Sequence, residues 1–360
     1  MRAAAIRRSR HLASGEPHAI DCTANPHRDP THVAAEQDPV AVLAYHRSLP
    51  GYAPTPLVDA PALARDWGVG KVLLKFERER FGLPAFKFLG ASWAAHRLLG
   101  APPYDPALTL VAATDGNHGR AVARVAKLAN AKAHILVPHG TAQARIDAIK
   151  GEGAHLEVVD GSYDDAVRRS AAMADDTHLV LSDTSWPGYE DVPRWVIEGY
   201  ATIFAEIDER PDTVVIPIGV GALAAAAARH YAPANARLVA VEPTSAACLK
   251  ASVEAGEIAE VPGPHTSIMA GLNAGLPSRV AWPDVKHGFG AFCAIGDDVA
   301  VEGMRALAEI EIEAGEVSGG AVGAAKQLTH APTDTVLVLL TEGVTDPLSY
   351  RRLVGAPAAT

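Results

Sequence analysis

From Val72 onward the chain alternates short β-branched and aliphatic runs with longer, alanine-rich stretches. The runs fall at 72–76, 109–113, 134–137, 156–159, 179–181, 213–218, 238–241 and 335–340. Between them lie helix-like segments at 86–99, 118–130, 143–150, 164–174, 195–207, 222–231 and 299–314. A strand followed by a helix and another strand crosses over and returns parallel, because antiparallel neighbours need only a tight turn. The runs are apolar throughout rather than alternating with polar residues, which suits strands covered on both faces. The pattern therefore predicts an α/β architecture of parallel-rich sheets flanked by helices.

A chain of 360 residues is longer than one hydrophobic core usually serves, so two lobes with a cleft between them are expected. A net charge of −10, with no basic block in the body, argues against nucleic acid as the main partner. No apolar run approaches the roughly 20 residues that span a bilayer. Cys22, Cys248 and Cys293 are far apart and form no CxxC pair, so neither a zinc site nor a disulfide framework is signalled. A reducing cytoplasm is the simplest location. Residues 1–28 are rich in Arg and Ala and poor in acids, as a transit peptide is. They lack an amphipathic pattern and read as a loose extension.

In parallel sheets chemistry gathers where strands end and loops enter helices. Five such junctions stand out. Lys87 lies between Phe86 and Phe88 at a helix start. Apolar walls and the positive end of a helix dipole both disfavour an ammonium, and a neutral amine is the form that attacks a carbonyl. The alternative is a lysine laying its stem across an apolar surface.

Thr114, Asp115, Gly116, Asn117, His118 and Gly119 follow the run at 109–113. Helix-start N–H groups suit an anion, and Asp115 suits acid–base work. A plain N-cap explains the same residues. Gly219, Val220, Gly221 and Ala222 can wrap an anion with backbone N–H groups. With Ala224, and with Glu242 ending the next strand, they also match a dinucleotide fingerprint, and tight helix–strand packing needs no ligand at all. Asp183 to Tyr189 mixes a carboxylate, hydroxyls and aromatics, or is a capped loop with Trp186 and Tyr189 beneath it. Thr341 follows the strongest candidate strand, at a cleft edge or in a turn. No Gly-x-Ser-x-Gly elbow, zinc helix or histidine ligand spacing occurs, so no metal is expected.

Together these segments resemble the fold-type II pyridoxal-phosphate enzymes, the class of threonine dehydratase and tryptophan synthase β chain. The match to the diaminopropionate ammonia-lyase family is closer. It is carried in order by 46–57 (HRSLPGYAPTPL), 75–90 (KFERERFGLPAFKFLG), 113–121 (ATDGNHGRA), 163–168 (YDDAVR), 183–189 (DTSWPGY), 199–202 (GYAT), 219–222 (GVGA), 268–272 (IMAGL) and 341–346 (TEGVTD). RFGLxxFK with TDGNHG is specific; a general dehydratase has serine where Asp115 stands.

The resemblance implies pyridoxal 5'-phosphate held as a Schiff base on Lys87, beside Phe86. It implies that Asn117 meets the cofactor's 3-oxygen, that Gly219, Val220, Gly221 and Ala222 cradle its phosphate, and that Thr341 faces the pyridine nitrogen. It implies substrate contacts from Thr114, Asp115, His118 and Asp183. Asp115 and Asp183 would take the Cα proton from opposite faces, of the D and L isomers respectively. Loss of the β-amine through an aminoacrylate would leave pyruvate and ammonia. The resemblance also implies a homodimer. The expected division is a partly loose extension over 1–40, a large cofactor-binding domain from 41–90 with 189–360, and a small domain over 91–188.

The connection between Gly100 and Leu110 departs from the resemblance in being shorter than is expected of the family. Glu316-Val317-Ser318-Gly319-Gly320-Ala321 stands where Ser-Gly-Glu-Ser-Gly-Ala is expected, and that loop bears on specificity if it lines the site. Glu342, beside Thr341, would change the cofactor's electronics if it turned to the ring nitrogen. Serine or threonine dehydration and β-replacement are the nearest alternatives. More distant are a nicotinamide-dependent oxidoreductase, resting on Gly219 to Ala224 with Glu242, and a non-catalytic sensor on the same fold.

Overall fold

The computed structural model describes residues 20–355 apart from Glu36, Ala101, Asp115 and Asn235. Its strands are β1 (Asp21–Ala24), β2 (Leu57–Asp59), β3 (Lys71–Phe76), β4 (Thr109–Ala113), β5 (Lys132–Pro138), β6 (His155–Val159), β7 (His178–Val180), β8 (Thr213–Pro217), β9 (Arg237–Pro243), β10 (Ala291–Ile295) and β11 (Thr335–Leu340). The first seven helices are α1 (Pro39–Ser48), α2 (Pro61–Trp67), α3 (Lys87–Leu99), α4 (Asn117–Leu128), α5 (Gln143–Gly151), α6 (Tyr163–Ala171) and α7 (Asp191–Gly199). Then come α8 (Ala201–Ala205), α9 (Ala222–Tyr231), α10 (Cys248–Ala255), α11 (Trp282–Gly288), α12 (Asp297–Glu309), α13 (Glu316–Gln327) and α14 (Pro347–Val354).

The strands form two sheets. The larger is ordered β1-β10-β9-β8-β11-β3-β2, with parallel pairs inside and antiparallel pairing only for β1 and β2 at the edges. The smaller, β6-β5-β4-β7, is parallel throughout. Helices cover both faces of the inner strands, which explains why β4 (TLVAA), β8 (TVVIP) and β11 (TVLVLL) read as apolar runs and lie buried. One apolar layer, including Leu89, Leu110, Ile135, Val214 and Ile216, is continuous from one sheet to the other. A second lies on the far face of the larger sheet, under α12 and α13.

The eight candidate strands are all present, with ends shifted by at most two residues. The segment at 195–207 is two helices, α7 and α8, which meet at Tyr200. Within the expected loose extension, Asp21–Ala24 adds an edge strand to the larger sheet; residues 1–19 lie outside the described residues.

Two readings need correction. The chain around Glu316 is not a loop: it is the first half of α13, buried against α12. Its glycines are there for close packing, since a Cβ on Gly319 would lie 2.5 Å from the carbonyl oxygen of Ala300. The cysteines are not all separate either. Cys22 sits directly opposite Cys293 in the β1–β10 register, and the two form a disulfide across 271 residues of sequence. That pairing is a product of strand register, which spacing along the chain does not reveal. Cys248 is free and buried.

Candidate functional site

The loops that leave β3, β4, β7, β8 and β11 meet in one cleft of about 790 Å³, counting its open mouth. Lys87 opens α3 and reaches it from the β3 side. The stretch before it is tightly held. Glu77 N–H donates to Leu340 O (2.8 Å), Gly343 N–H donates to Pro84 O (2.8 Å), and Arg80 and Leu83 exchange backbone hydrogen bonds. Beneath it Arg80 bonds the carboxylates of Glu77 and Glu206, and Lys75 bonds Glu206 (2.7 Å). These two cations and two anions are fully buried and balance each other, so removal of any one would strand the others.

Lys87 Nζ lies 5.3 Å from the centre of the Phe86 ring, which supplies the apolar wall anticipated there. A carboxylate also adjoins it: Nζ donates to Asp183 Oδ2 at 2.6 Å. Asp183 follows β7 and is 4 % exposed. The Tyr163 hydroxyl donates to its Oδ1 at 3.4 Å, and His118 Nδ1 stands 4.0 Å from Oδ2. Burial works against ionisation of Asp183, yet the charges of Lys87 and His118 outweigh it and hold the carboxyl well below the usual range. The loop around it is at the same time the packed turn that its aromatic residues suggested. Trp186 stacks on Tyr189 at 4.2 Å, and the Tyr189 hydroxyl donates to Val180 O at 2.7 Å.

The β4–α4 junction brings Thr114, Asn117 and His118 to the cleft. Asp115 lies outside the described residues. Thr114 Oγ1 accepts from the N–H groups of Gly116 (2.9 Å) and Gly119 (3.0 Å), shaping the turn. His118 Nε2 bonds Leu181 O at 2.8 Å; a carbonyl only accepts, so this nitrogen carries a proton. Asn117 Nδ2 donates to Glu342 Oε2 at 2.7 Å. Glu342 therefore does not stand alone beside Thr341; its carboxylate is engaged by Asn117 and by Val317 N–H (3.3 Å).

Gly219, Val220 and Gly221 link β8 to α9, with Gly221 in a left-handed conformation at φ 103°. A side chain there would be strained, and a Cβ would lie 3.3 Å from Ala281. Across the cleft a Cβ on Gly219 would come within 3.1 Å of Gly271 O. The first turn of α9 thus opens at the cleft, where the N–H groups of a helix start suit an anion and a Cβ on Gly219 would narrow the space. Thr341 leaves β11 at the same cleft. Its Oγ1 is buried with no hydrogen-bond partner among the described residues. Asn273 Oδ1, one residue beyond the IMAGL stretch, is a second such atom. Buried polar atoms are seldom left unmatched, so both indicate a polar ligand.

Lys87, Thr114, Asn117, His118, Asp183, Gly219 to Ala222 and Thr341 thus share one cleft, with Phe86 in its wall. Glu242 does not join them. Its two oxygens accept from Leu249 and Lys250 N–H, each at 2.8 Å, at the start of α10. Full burial pushes its carboxyl up to about 8. An acid already committed to two backbone donors is not free to bind a ribose, which takes away one of the two supports of the oxidoreductase reading. Tyr163 and Asn273 carry no assigned site role in the sequence, and Glu342 only a conditional one beside the ring nitrogen. Tyr163 and Glu342 belong to motifs of the resemblance and Asn273 adjoins one, but only folding shows which side chain turns inward.

The residues fit pyridoxal phosphate. A cleft amine, a glycine-kept anion cradle, an unmatched buried hydroxyl and a side-chain amide are the groups it needs. The profile of the family described as "Pyridoxal-phosphate dependent enzyme" matches residues 48–342. The diaminopropionate ammonia-lyase of Escherichia coli strain K12 is 36% identical over 355 residues, covering 86% of this chain and 89% of its own. That of Salmonella typhimurium is 33% identical, covering 87% of this chain and 91% of its own. The crystal structure of the Escherichia coli enzyme with an aminoacrylate-PLP azomethine reaction intermediate matches with a TM-score of 0.84 at 33% identity. The match covers 93% of this chain and 96% of that one.

Proposed function

This chain belongs to the pyridoxal-phosphate-dependent enzymes, in their diaminopropionate ammonia-lyase branch, and we propose that it converts 2,3-diaminopropionate to pyruvate and ammonia. The observation that carries the reading is the Lys87 amine, held 2.6 Å from Asp183 in a cleft shared with the glycine cradle and the unmatched Thr341 hydroxyl.

In this reading Lys87 attaches the cofactor, with Phe86 against it. Gly219, Val220, Gly221 and Ala222 bind its phosphate through backbone N–H groups, Asn117 meets its 3-oxygen and Thr341 its pyridine nitrogen. When bound, pyridoxal phosphate supplies an electron sink for the pair left on Cα as its proton departs. The chain supplies the bases. Asp183 is ionised at neutral pH and takes the Cα proton of the L isomer. The charges of Lys87 and His118 hold it ionised against burial, and loss of either charge would raise its basicity. Asp115 takes the proton of the D isomer from the other face. Thr114 and His118 complete the substrate contacts, with His118 oriented by its bond to Leu181 O. Loss of the β-amine followed by addition of water gives one pyruvate and two ammonia molecules.

The same reading divides the chain into a large domain, 41–90 with 189–360, and a small one, 91–188, with the cleft between their sheets. It includes a homodimer, which sedimentation velocity would test. It also includes action in the cytoplasm, which fractionation would test.

The activity is tested with the cofactor-loaded protein and a panel of D- and L-diaminopropionate, serine and threonine, measuring 2-oxo acid and ammonia. Pyruvate with two equivalents of ammonia from diaminopropionate is expected. Turnover of serine or threonine alone would replace this reading with dehydration, and binding without turnover would replace it with a sensor.

A further inference from the structure

Glu342 lines the cleft and connects several of its parts. Its backbone forms an antiparallel bridge with Ala85, two residues before Lys87. Its carbonyl accepts from Gly315 N–H (3.2 Å) and from Ser318 Oγ (2.8 Å), and its own N–H bonds Ser318 Oγ at 3.1 Å. Thr341 is its chain neighbour. Its carboxylate belongs to a residue 2 % exposed, and it receives Val317 N–H at the start of α13 and Asn117 Nδ2 at the start of α4. The last contact joins the end of the larger sheet's β11 to the smaller sheet's β4–α4 turn. Space for the carboxylate is kept by Gly315, where a Cβ would lie 3.0 Å from Glu342 Oε1.

The chemistry of that contact is directional. An asparagine side chain presents either its oxygen or its NH2 after a half-turn, and the two faces have nearly the same shape. A carboxylate accepts and, when ionised, never donates. It therefore selects the NH2 face and uses one of its two hydrogens. The second hydrogen of Nδ2 remains for another acceptor in the cleft. Burial raises the Glu342 carboxyl above its usual range and Glu316 adds to this, while Arg145 of α5, Val317 N–H and the Asn117 amide itself favour the ionised form, so the contact with Asn117 is one of the features that keep the acceptor charged.

We propose that Glu342 is a positioning residue that locks the Asn117 amide with its NH2 toward the cofactor's 3-oxygen. The inference rests on the assignment of Asn117 as a cofactor contact made above. Glu342 thereby ties the cofactor's oxygen contact to the Thr341 segment and to the Lys87 segment, so the three cofactor contacts are set as one unit.

The test is a double-mutant cycle on the holoenzyme with Glu342→Leu, which keeps the volume, and Asn117→Ala. Glu342→Ala serves where the leucine variant does not fold. The readouts are the dissociation constant for pyridoxal phosphate and the pH midpoint of its visible absorption band, neither of which needs turnover. Each single variant is expected to bind the cofactor about 10-fold to 100-fold more weakly, as loss of a hydrogen bond to a charged group implies. The double variant should be no weaker than Asn117→Ala alone. Glu342→Gln keeps an acceptor oxygen and should restore most of the affinity and the band. Additive losses in the cycle, or a Glu342→Leu protein that binds cofactor like the wild type, would overturn the proposal alone. An Asn117→Ala protein with unchanged affinity would overturn the Asn117 assignment and the proposal with it.

Discussion

Replacing Lys87 with methionine in the cofactor-free protein should destabilise it, and the size and pH dependence of the effect follow from the site. Lys87 Nζ is 2.6 Å from Asp183 Oδ2, with the lysine side chain 21 % and the aspartate side chain 6 % exposed. Removing the ammonium leaves a buried carboxylate with His118 at 4.0 Å, the Tyr163 hydroxyl and a backbone N–H as its remaining described partners. Breaking a fully buried pair from one side costs about 3–5 kcal/mol; partial exposure of the lysine and the nearby imidazole bring the expected loss to about 2 kcal/mol. Asp183→Asn should cost less, because a partly exposed ammonium can turn to water. The double variant Lys87→Met/Asp183→Asn should recover about 1 kcal/mol or more relative to additivity.

The pH dependence has a definite sign. In the wild type the Asp183 carboxyl is held below its unfolded value, so its contribution is present above that value and lost as pH falls toward the folded one. In Lys87→Met burial dominates and the carboxyl titrates above its unfolded value. The gap between the two proteins should therefore narrow steadily as pH falls from neutral through the unfolded carboxylate value and close only below it. Urea unfolding of cofactor-free proteins across this range measures it. A Lys87→Met protein as stable as the wild type at neutral pH, or an additive cycle, would refute the reasoning.

Gly221→Val forces a β-branched residue into φ 103° at the anion cradle and should weaken cofactor binding about 10-fold or more, read as loss of the visible band on dialysis; full retention would remove the cradle assignment. Glu242→Gln should leave cofactor binding unchanged. Because the carboxyl of Glu242 is raised to about 8, its protonated form is favoured by folding, and the wild type should lose stability relative to the glutamine variant as pH rises from about 5 through 8. A flat difference in thermal melts would contradict this. Cys22→Ser should lower the melting temperature under oxidising conditions and cancel the effect of a dithiol on the wild type, since the crosslink closes 271 residues and such links contribute about 2–5 kcal/mol. Identical melts would show that the bond is not formed.

The parts of the fold legible in the sequence are those whose environment is uniform. β4, β11 and α9 were expected at Thr109–Ala113, Thr335–Leu340 and Ala222–Tyr231 and lie there, because strands covered on both faces and a helix buried on all sides leave unbroken apolar runs. β1 and β2 have four and three residues and exist through their neighbours at the sheet edges. α13 was hidden by its own glycines, which cost helix propensity but let α12 approach, so packing overrides propensity there.

The site was legible because its side chains sit at strand-to-helix junctions, where their chemistry is local. Lys87, Asn117, Asp183 and Thr341 are of this kind. Their pairings are not local. Lys87 meets Asp183 across 96 residues and Asn117 meets Glu342 across 225, and no spacing rule encodes either contact. The buried Lys75, Glu77, Arg80 and Glu206 network reads in sequence as an ordinary charged stretch, because three of its members lie within KFERER and the fourth is far along the chain.

That Lys87 carries the cofactor is the central claim, and the direct test is borohydride reduction of the loaded protein followed by peptide mapping. The visible band should collapse on reduction, and one pyridoxyl group should be recovered on the peptide containing Lys87. A pyridoxyl group on another lysine, or a protein that forms no reducible band when supplied with pyridoxal phosphate, would contradict it.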